Sequence, residues 1–84
     1  MKKVVLIKWL DAESSAEERW MPLEEAYEYA TEKLELCRTV GFLMADRNDH
    51  VTIATSNGAD VIGTIWKIPK GMIKEMTVIY ELNE

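Results

Sequence analysis

The sequence predicts a mostly β domain of the α+β class, in which a small antiparallel barrel carries one inserted amphipathic helix. Five runs are rich in β-branched and aromatic residues, which is typical of strands. One segment repeats apolar residues at helical spacing. The last two strand-like runs are separated only by a short break at Pro69 and Gly71, and apolar residues alternate after it.

A single domain is expected from the length of 84 residues. One cysteine excludes an intramolecular disulfide and fits a reducing compartment, and one histidine leaves no zinc-site spacing. No run reaches the roughly 18 apolar residues that span a membrane. We therefore expect a cytoplasmic protein without a metal, a cofactor or a membrane contact.

The first element is a strand over residues 3–10. Its apolar run is interrupted only by Lys8, which predicts a strand covered on both faces. A polar segment follows and ends at Arg19 and Trp20. Two interpretations of Trp20 stay open: it docks this loop onto the barrel, or it lines a ligand pocket together with Arg19.

A helix is predicted over residues 22–37, with Pro22 in the first turn. Apolar residues at helical spacing form one stripe, and they are Leu23, Ala26, Tyr27, Ala30, Leu34 and Cys37. We expect this stripe to be buried in the core and the glutamates of the other side to be solvated. Cys37 is interpreted as a small buried hydrophobe and not as a nucleophile.

Four further strands are predicted over residues 39–45, 50–55, 61–68 and 72–82, with turns at 46–49 and at Asn57-Gly58. The strands 61–68 and 72–82 are expected to be neighbours in one antiparallel sheet. Gly41 and Gly63 are candidates for bends or bulges. Closure into an SH3-like or Sm-like barrel would leave the fewest open edges. The alternative is an open antiparallel sheet with the helix across one face.

The net charge of −5 is unevenly distributed. Residues 11–36 hold nine acids against Arg19 and Lys33, and the rest of the chain holds eight bases against six acids. A protein that binds nucleic-acid phosphates needs a large basic face, which this composition does not supply. Anion binding is expected at most on a small patch of the sheet.

These elements resemble a group of small proteins encoded by tailed bacteriophages and prophages. The matching segments are 7–12 (IKWLDA), 20–25 (WMPLEE), 39–43 (TVGFL) and 68–73 (IPKGMI). The last segment also looks like the short turn before the final strand of Sm-like barrels, which often form RNA-binding rings. This chain is acidic and lacks a Gly-rich RNA-reading loop, so the resemblance implies the fold and oligomerisation and does not imply RNA binding.

We expect no enzymatic activity, because the sequence has no phosphate-binding Gly-rich loop and no Cys/His pairing. His50, beside Asp49, is interpreted as an exposed residue at the start of a strand. Abundant carboxylates on a solvated helix do not make a general acid, which needs a shifted pKa and a placed substrate.

Three hypotheses on function remain. The first is a phage counter-defence sponge, a homo-oligomer that sequesters a nucleotide-derived signal of host immunity in the host cytoplasm. Its candidate ligand-binding residues are aromatic or basic: Trp9, Arg19, Trp20, Arg47, Trp66, Lys67, Lys70 and Lys74. The second is an inhibitor that docks its acidic helix on a host protein, and the third is a structural or accessory module. Three tryptophans in a small domain predict an oligomer with Trp9 or Trp66 at the contact or in a pocket beside it.

Overall fold

A computed structural model describes residues 2–13 and 20–83 as one antiparallel sheet of five strands with one α-helix. The strands are β1 (Lys3–Leu10), β2 (Leu36–Asp46), β3 (His50–Ala54), β4 (Ile65–Pro69) and β5 (Ile73–Glu81). The helix is α1 (Leu23–Thr31), and a 3-10 turn, Lys70–Met72, joins β4 to β5. The predicted α+β class, mostly β, is confirmed.

The sheet is open, with the strand order β4-β3-β2-β1-β5. β5 pairs with β1 from Lys3↔Glu81 to Trp9↔Ile73, so β4 and β5 are the two edge strands. The prediction that residues 61–68 and 72–82 are neighbours in the sheet is therefore wrong. A closed, hydrogen-bonded barrel is not observed. Closure would require β5 to pair with β4 as well as with β1, and these two edge strands share no ladder.

The open sheet is nevertheless strongly curled. Pro69 and Ile73 are four residues apart, so they are separated by at most about 14 Å. In a flat sheet, the two edges of five strands would lie about 19 Å apart. The sheet must therefore bend so that β4 and β5 approach each other at the 3-10 turn.

β2 divides the sheet into two halves. Its residues from Leu36 to Phe42 pair with β1, its residues from Phe42 to Asp46 pair with β3, and only Phe42 belongs to both ladders. The core lies between the two halves. Its buried members come from β1, β3 and β4: Val5, Ile7, Trp9, Val51, Ile53 and Ile68.

Gly41 precedes the shared residue and is buried against β3. A Cβ at this position would lie 2.8 Å from the Ala54 carbonyl oxygen and 3.2 Å from the Ile53 Cβ. No side chain fits there without displacing β3. This close approach is consistent with the predicted bend at Gly41.

β1 is covered less evenly than predicted. Val5, Ile7 and Trp9 are buried on the inner face, whereas the alternate residues Val4, Leu6, Lys8 and Leu10 are only half-buried. The predicted cover on both faces is thus complete on one face only.

Two strand boundaries differ from the prediction by more than one residue. β2 begins at Leu36 and not at residue 39, because Leu36 and Cys37 pair with Leu10 and Trp9. β4 begins at Ile65 and not at residue 61. The preceding residues form the narrow end of the β3–β4 hairpin, with one isolated bridge between Asn57 and Ile62.

The helix is shorter than the predicted 22–37, because α1 ends at Thr31. Glu32 already has an extended conformation. The helical periodicity continues to Cys37, but residues from Leu36 onward gain a full ladder with β1. Pairing in the sheet outweighs the helical pattern at these positions.

α1 does not pack on the sheet, since none of its residues is buried. The prediction of a buried stripe is therefore wrong: Leu23 is 70% exposed, and Tyr27 and Leu34 are exposed as well. A helix across one face of the sheet is not observed either. The chain has a radius of gyration of 17.0 Å, against about 12 Å for a compact chain of this length. Within residues 2–13 and 20–83, no helix has the length and apolar character needed to cross a membrane.

Candidate functional site

Trp9 and Trp66 lie in contact although β1 and β4 are separated by two strands in the sheet. Their ring centroids are 6.4 Å apart with an interplanar angle of 61°, an edge-to-face arrangement. Three strand spacings of a flat sheet would separate them by about 14 Å. The curl of the sheet therefore brings together two of the residues that the sequence singles out.

Trp9 forms the buried wall of this pair. It is 8% exposed and pairs across the strands with Cys37 and Ile73. Its indole N–H donates a hydrogen bond of 2.9 Å to the Thr39 hydroxyl. Trp9 is thus held in one orientation, and its only donor is already used. Thr39 was not among the predicted site residues, because no local signal in the sequence links it to Trp9.

Trp66 forms the accessible wall of the pair. It lies on the edge strand β4 opposite Ile53, and its side chain is 43% exposed. Trp66 is supported from below by Trp9 and open to solvent above. A planar ligand could stack on the open part of this indole.

Lys67 does not join Trp66 on the same face. Successive residues of a strand point to opposite faces, and Lys67 pairs with Thr52, whereas Trp66 pairs with Ile53. The predicted combination of Trp66 with Lys67, in which one residue stacks on a base and the other binds its phosphate, is not assembled within one chain.

Lys70 forms an ion pair and a backbone hydrogen bond at the end of the sheet where the β2–β3 turn meets the 3-10 turn. Its ammonium lies 2.6 Å from the Asp46 carboxylate, and its backbone N–H donates to the Asp49 carbonyl oxygen at 2.9 Å. Arg47 closes the β2–β3 turn through its backbone N–H, which donates to the His50 carbonyl oxygen. Lys74 is exposed on the edge strand β5. Lys70 and Arg47 are thus held by contacts at this end of the sheet.

Asp49 and His50 form a second polar pair at the same end. His50 Nδ1 donates to Asp49 Oδ1 across 2.6 Å. This hydrogen bond, together with a backbone hydrogen bond and the charges of His50 and Lys67, lowers the pKa of the Asp49 carboxyl from its ordinary value. The Asp49 side chain is exposed, so the pair is more a turn contact than a catalytic dyad.

Neither of the two interpretations of Trp20 holds within one chain. Its side chain is fully exposed, so it neither docks the loop on the sheet nor lines a pocket of this chain. Arg19, its proposed companion, lies outside the described residues. A fully exposed indole is the kind of residue that an interface covers.

The part of the chain that the structure describes holds no group of three or more His, Cys, Asp or Glu side chains arranged to bind a metal ion. Every buried side-chain nitrogen or oxygen atom among those residues has a hydrogen-bond partner. No protein-family model, curated protein or solved structure matches this chain. The geometry around Trp9 and Trp66 therefore carries the functional argument.

Proposed function

We propose that this chain is a non-enzymatic binding protein that holds the base of a nucleotide-derived ligand against Trp66. The observation that carries the proposal is a half-exposed indole supported by a second, buried indole that is itself fixed by a hydrogen bond. Stacking of one base on an aromatic side chain contributes about 1–3 kcal/mol. Because Trp9 orients Trp66 in advance, little side-chain entropy is lost on binding.

The phosphates of such a ligand need positive charge, and neither Lys67 nor Lys70 supplies it beside Trp66 within one chain. Lys67 is on the other face of β4, and Lys70 is paired with Asp46. The proposal therefore includes a homo-oligomer in which a neighbouring copy supplies the basic residues. Lys74 and Arg47 are the exposed candidates.

The biological setting comes from the resemblance to proteins of tailed phages. In that setting the protein is a counter-defence sponge in the host cytoplasm, which sequesters a nucleotide signal of host immunity. The curled sheet supports its assignment to the SH3-like or Sm-like barrels as part of this proposal. The 3-10 turn between β4 and β5 supports the same assignment.

The experiment is a thermal-shift and fluorescence titration with a panel of linear and cyclic nucleotides. A ligand at a hundredfold its dissociation constant stabilises the folded state by about 2.7 kcal/mol. We expect a nucleotide that raises the melting temperature and quenches tryptophan fluorescence. Trp66→Ala should abolish the shift and Trp66→Phe should weaken it. Trp20→Phe, at a fully exposed position, is the matched control and should leave the shift unchanged.

A loss of binding in Trp20→Phe equal to the loss in Trp66→Ala would place the ligand elsewhere. If no member of the panel shifts the melting temperature, the sponge function is rejected.

A second function, inhibition of a host protein through α1, is favoured by one observation. α1 presents an uncovered apolar stripe, which includes Leu23 and Tyr27, beside the glutamates of the same helix. Capture of one defined host protein by the wild-type chain, lost in Leu23→Glu, would support it. A chain that binds neither nucleotide nor protein would be the structural module.

A further inference from the structure

The outer side of one half of the sheet is an apolar surface that the chain covers only in part. Cross-strand partners lie on the same face, so the pairs Leu6↔Val40, Val4↔Phe42 and Val4↔Tyr80 place these side chains together, opposite the core. Val40 is 49% exposed, and Tyr80 is exposed too. We call this surface the outer face, and it consists of Val4, Leu6, Val40, Phe42 and Tyr80.

A second apolar surface lies on α1. Leu23, Ala26, Tyr27 and Ala30 fall on one side of the helix. Nine residues make a helix about 13 Å long. That length matches the width of three strands, about 10 Å between the axes of the outer two. The helix is thus long enough to cross the outer face.

The amount of exposed surface is large enough for another molecule to cover both surfaces. The chain exposes 6720 Å². A folded monomer of 9.7 kDa is expected to expose about 5,100 Å². The excess of roughly 1,600 Å² per chain is about twice the 800 Å² that each partner buries in a standard interface. The excess is therefore large enough for a stable dimer.

The charges indicate that the covering molecule is a second copy of the same chain. Lys8 and Arg38 are cross-strand partners beside the apolar residues of the outer face, and like charges in this position repel each other. Glu75, the partner of Lys8 on β5, offsets one of the two. α1 carries Glu24 next to its apolar stripe and contains no basic residue. A helix of this composition would contribute both the apolar stripe and the missing negative charge.

We propose that α1 of each chain docks on the outer face of a second copy, in a symmetric dimer with two equivalent contacts. Each contact joins Leu23 and Tyr27 of one copy to Leu6 and Val40 of its partner. The inference rests on the self-association in the proposed function and specifies one of its contacts; the approach of a neighbour's basic residues to Trp66 is a separate contact on the other face of the sheet. The Trp9–Trp66 pair belongs to the core side of the sheet and takes no part in this contact.

The test combines mass measurement with site-directed cross-linking, in the absence of nucleotide. Light scattering at tens of micromolar should give about twice the 9.7 kDa chain mass. Leu23→Glu and Val40→Glu should each shift the mass to the monomer while the far-ultraviolet circular dichroism of the sheet remains. Glu28→Gln, on the other side of α1, is the control and should remain dimeric.

For cross-linking, the native Cys37 is replaced by serine, one sample carries Tyr27→Cys and a differently tagged sample carries Val40→Cys. Mild oxidation of the mixture should form disulfides between the two tags. Glu28→Cys in place of Tyr27→Cys should form several-fold fewer.

A chain that remains monomeric at all concentrations would overturn the proposal. A single chain that carries both Tyr27→Cys and Val40→Cys and forms the disulfide within itself would also overturn it. A dimer that withstands Leu23→Glu and Val40→Glu would show that a different surface associates. Capture of another protein by α1 in a chain that remains monomeric would favour the inhibitor. Nucleotide binding to Trp66 is measured on the same variants, so failure of the dimer and failure of the ligand site are distinguished.

Discussion

Gly41 allows β2 to pass close to β3. We expect Gly41→Ala to cost about 1–3 kcal/mol, because its new methyl group would overlap the Ala54 carbonyl oxygen and displace β3. Gly71→Ala is the matched control, since Gly71 has a negative φ and a Cβ there would meet nothing within 4 Å. That change should be neutral or stabilise by up to about 1 kcal/mol. Urea unfolding measures both. If both substitutions change the free energy of unfolding equally, a Cβ at position 41 does not clash with β3.

Asp49 provides a prediction on pH. Its carboxyl pKa is lowered in the folded state, chiefly by the hydrogen bond from His50, so the folded chain binds this proton less readily than the unfolded chain. The resulting stabilisation is present above the ordinary aspartate pKa of about 4 and is lost as the pH falls through the lowered value. In His50→Ala, the Asp49 pKa should rise toward its ordinary value. Carboxyl carbon NMR titration measures it, and an unchanged pKa would assign the shift to the backbone hydrogen bond.

At the scale of elements, the sheet and the connection that contains α1 should contribute very unequally to stability. Ile7 is fully buried in the core, and Ile7→Ala should cost about 2–5 kcal/mol. Leu34 lies beyond the end of α1 and is 49% exposed, so Leu34→Ala should cost less than about 1 kcal/mol. Chemical denaturation of the two variants gives the comparison. Similar costs would show that Leu34 is buried in solution.

Local patterns predicted the types of the elements well, because strand and helix periodicities are properties of neighbouring residues. The errors lie where a distant partner decides the outcome. Cys37 ends the helical stripe and Leu36 lies within the predicted helix, yet they pair with Trp9 and Leu10. β5 pairs with β1 and not with its chain neighbour β4, which no local signal reveals.

The candidate site was predictable only in part, for a similar reason. Tryptophans are conspicuous in a sequence, and Trp9 and Trp66 do meet. Their contact follows from the curl of the sheet, which the residue spacing does not encode. The face on which Lys67 lies depends on its cross-strand pairing with Thr52. Lys70 is paired because Asp46 lies beside it in the folded chain.

At the scale of the whole molecule, the central strands should be the most resistant to local unfolding. β1 is paired on both sides and contributes three buried residues, whereas α1 has none. In dilute solution, we expect amide hydrogens of β1 to exchange slowest and those of α1 to exchange nearly as fast as in an unstructured peptide. With rising protein concentration, the proposed dimer should protect α1 and leave β1 unchanged. Hydrogen exchange followed by mass spectrometry measures both. Protection of α1 equal to that of β1 at the lowest concentration would show that the helix packs within its own chain.

The pairing of Leu10 with Leu36 has a consequence for how this protein can vary. The chain leaves the sheet at Leu10 and returns beside it at Leu36, and a hydrogen bond from the Glu35 N–H to the Glu13 carboxylate joins the two arms near this point. Residues 11–35 thus connect two strand ends that are already adjacent in the sheet, as the ends of a hairpin loop are. Insertions, deletions or a wholly different segment at this place would leave the β1–β2 register intact. The sequences of the sheet and of the 11–35 connection can therefore diverge at different rates. Selection acts on the sheet for folding and on the connection for the molecules that it contacts.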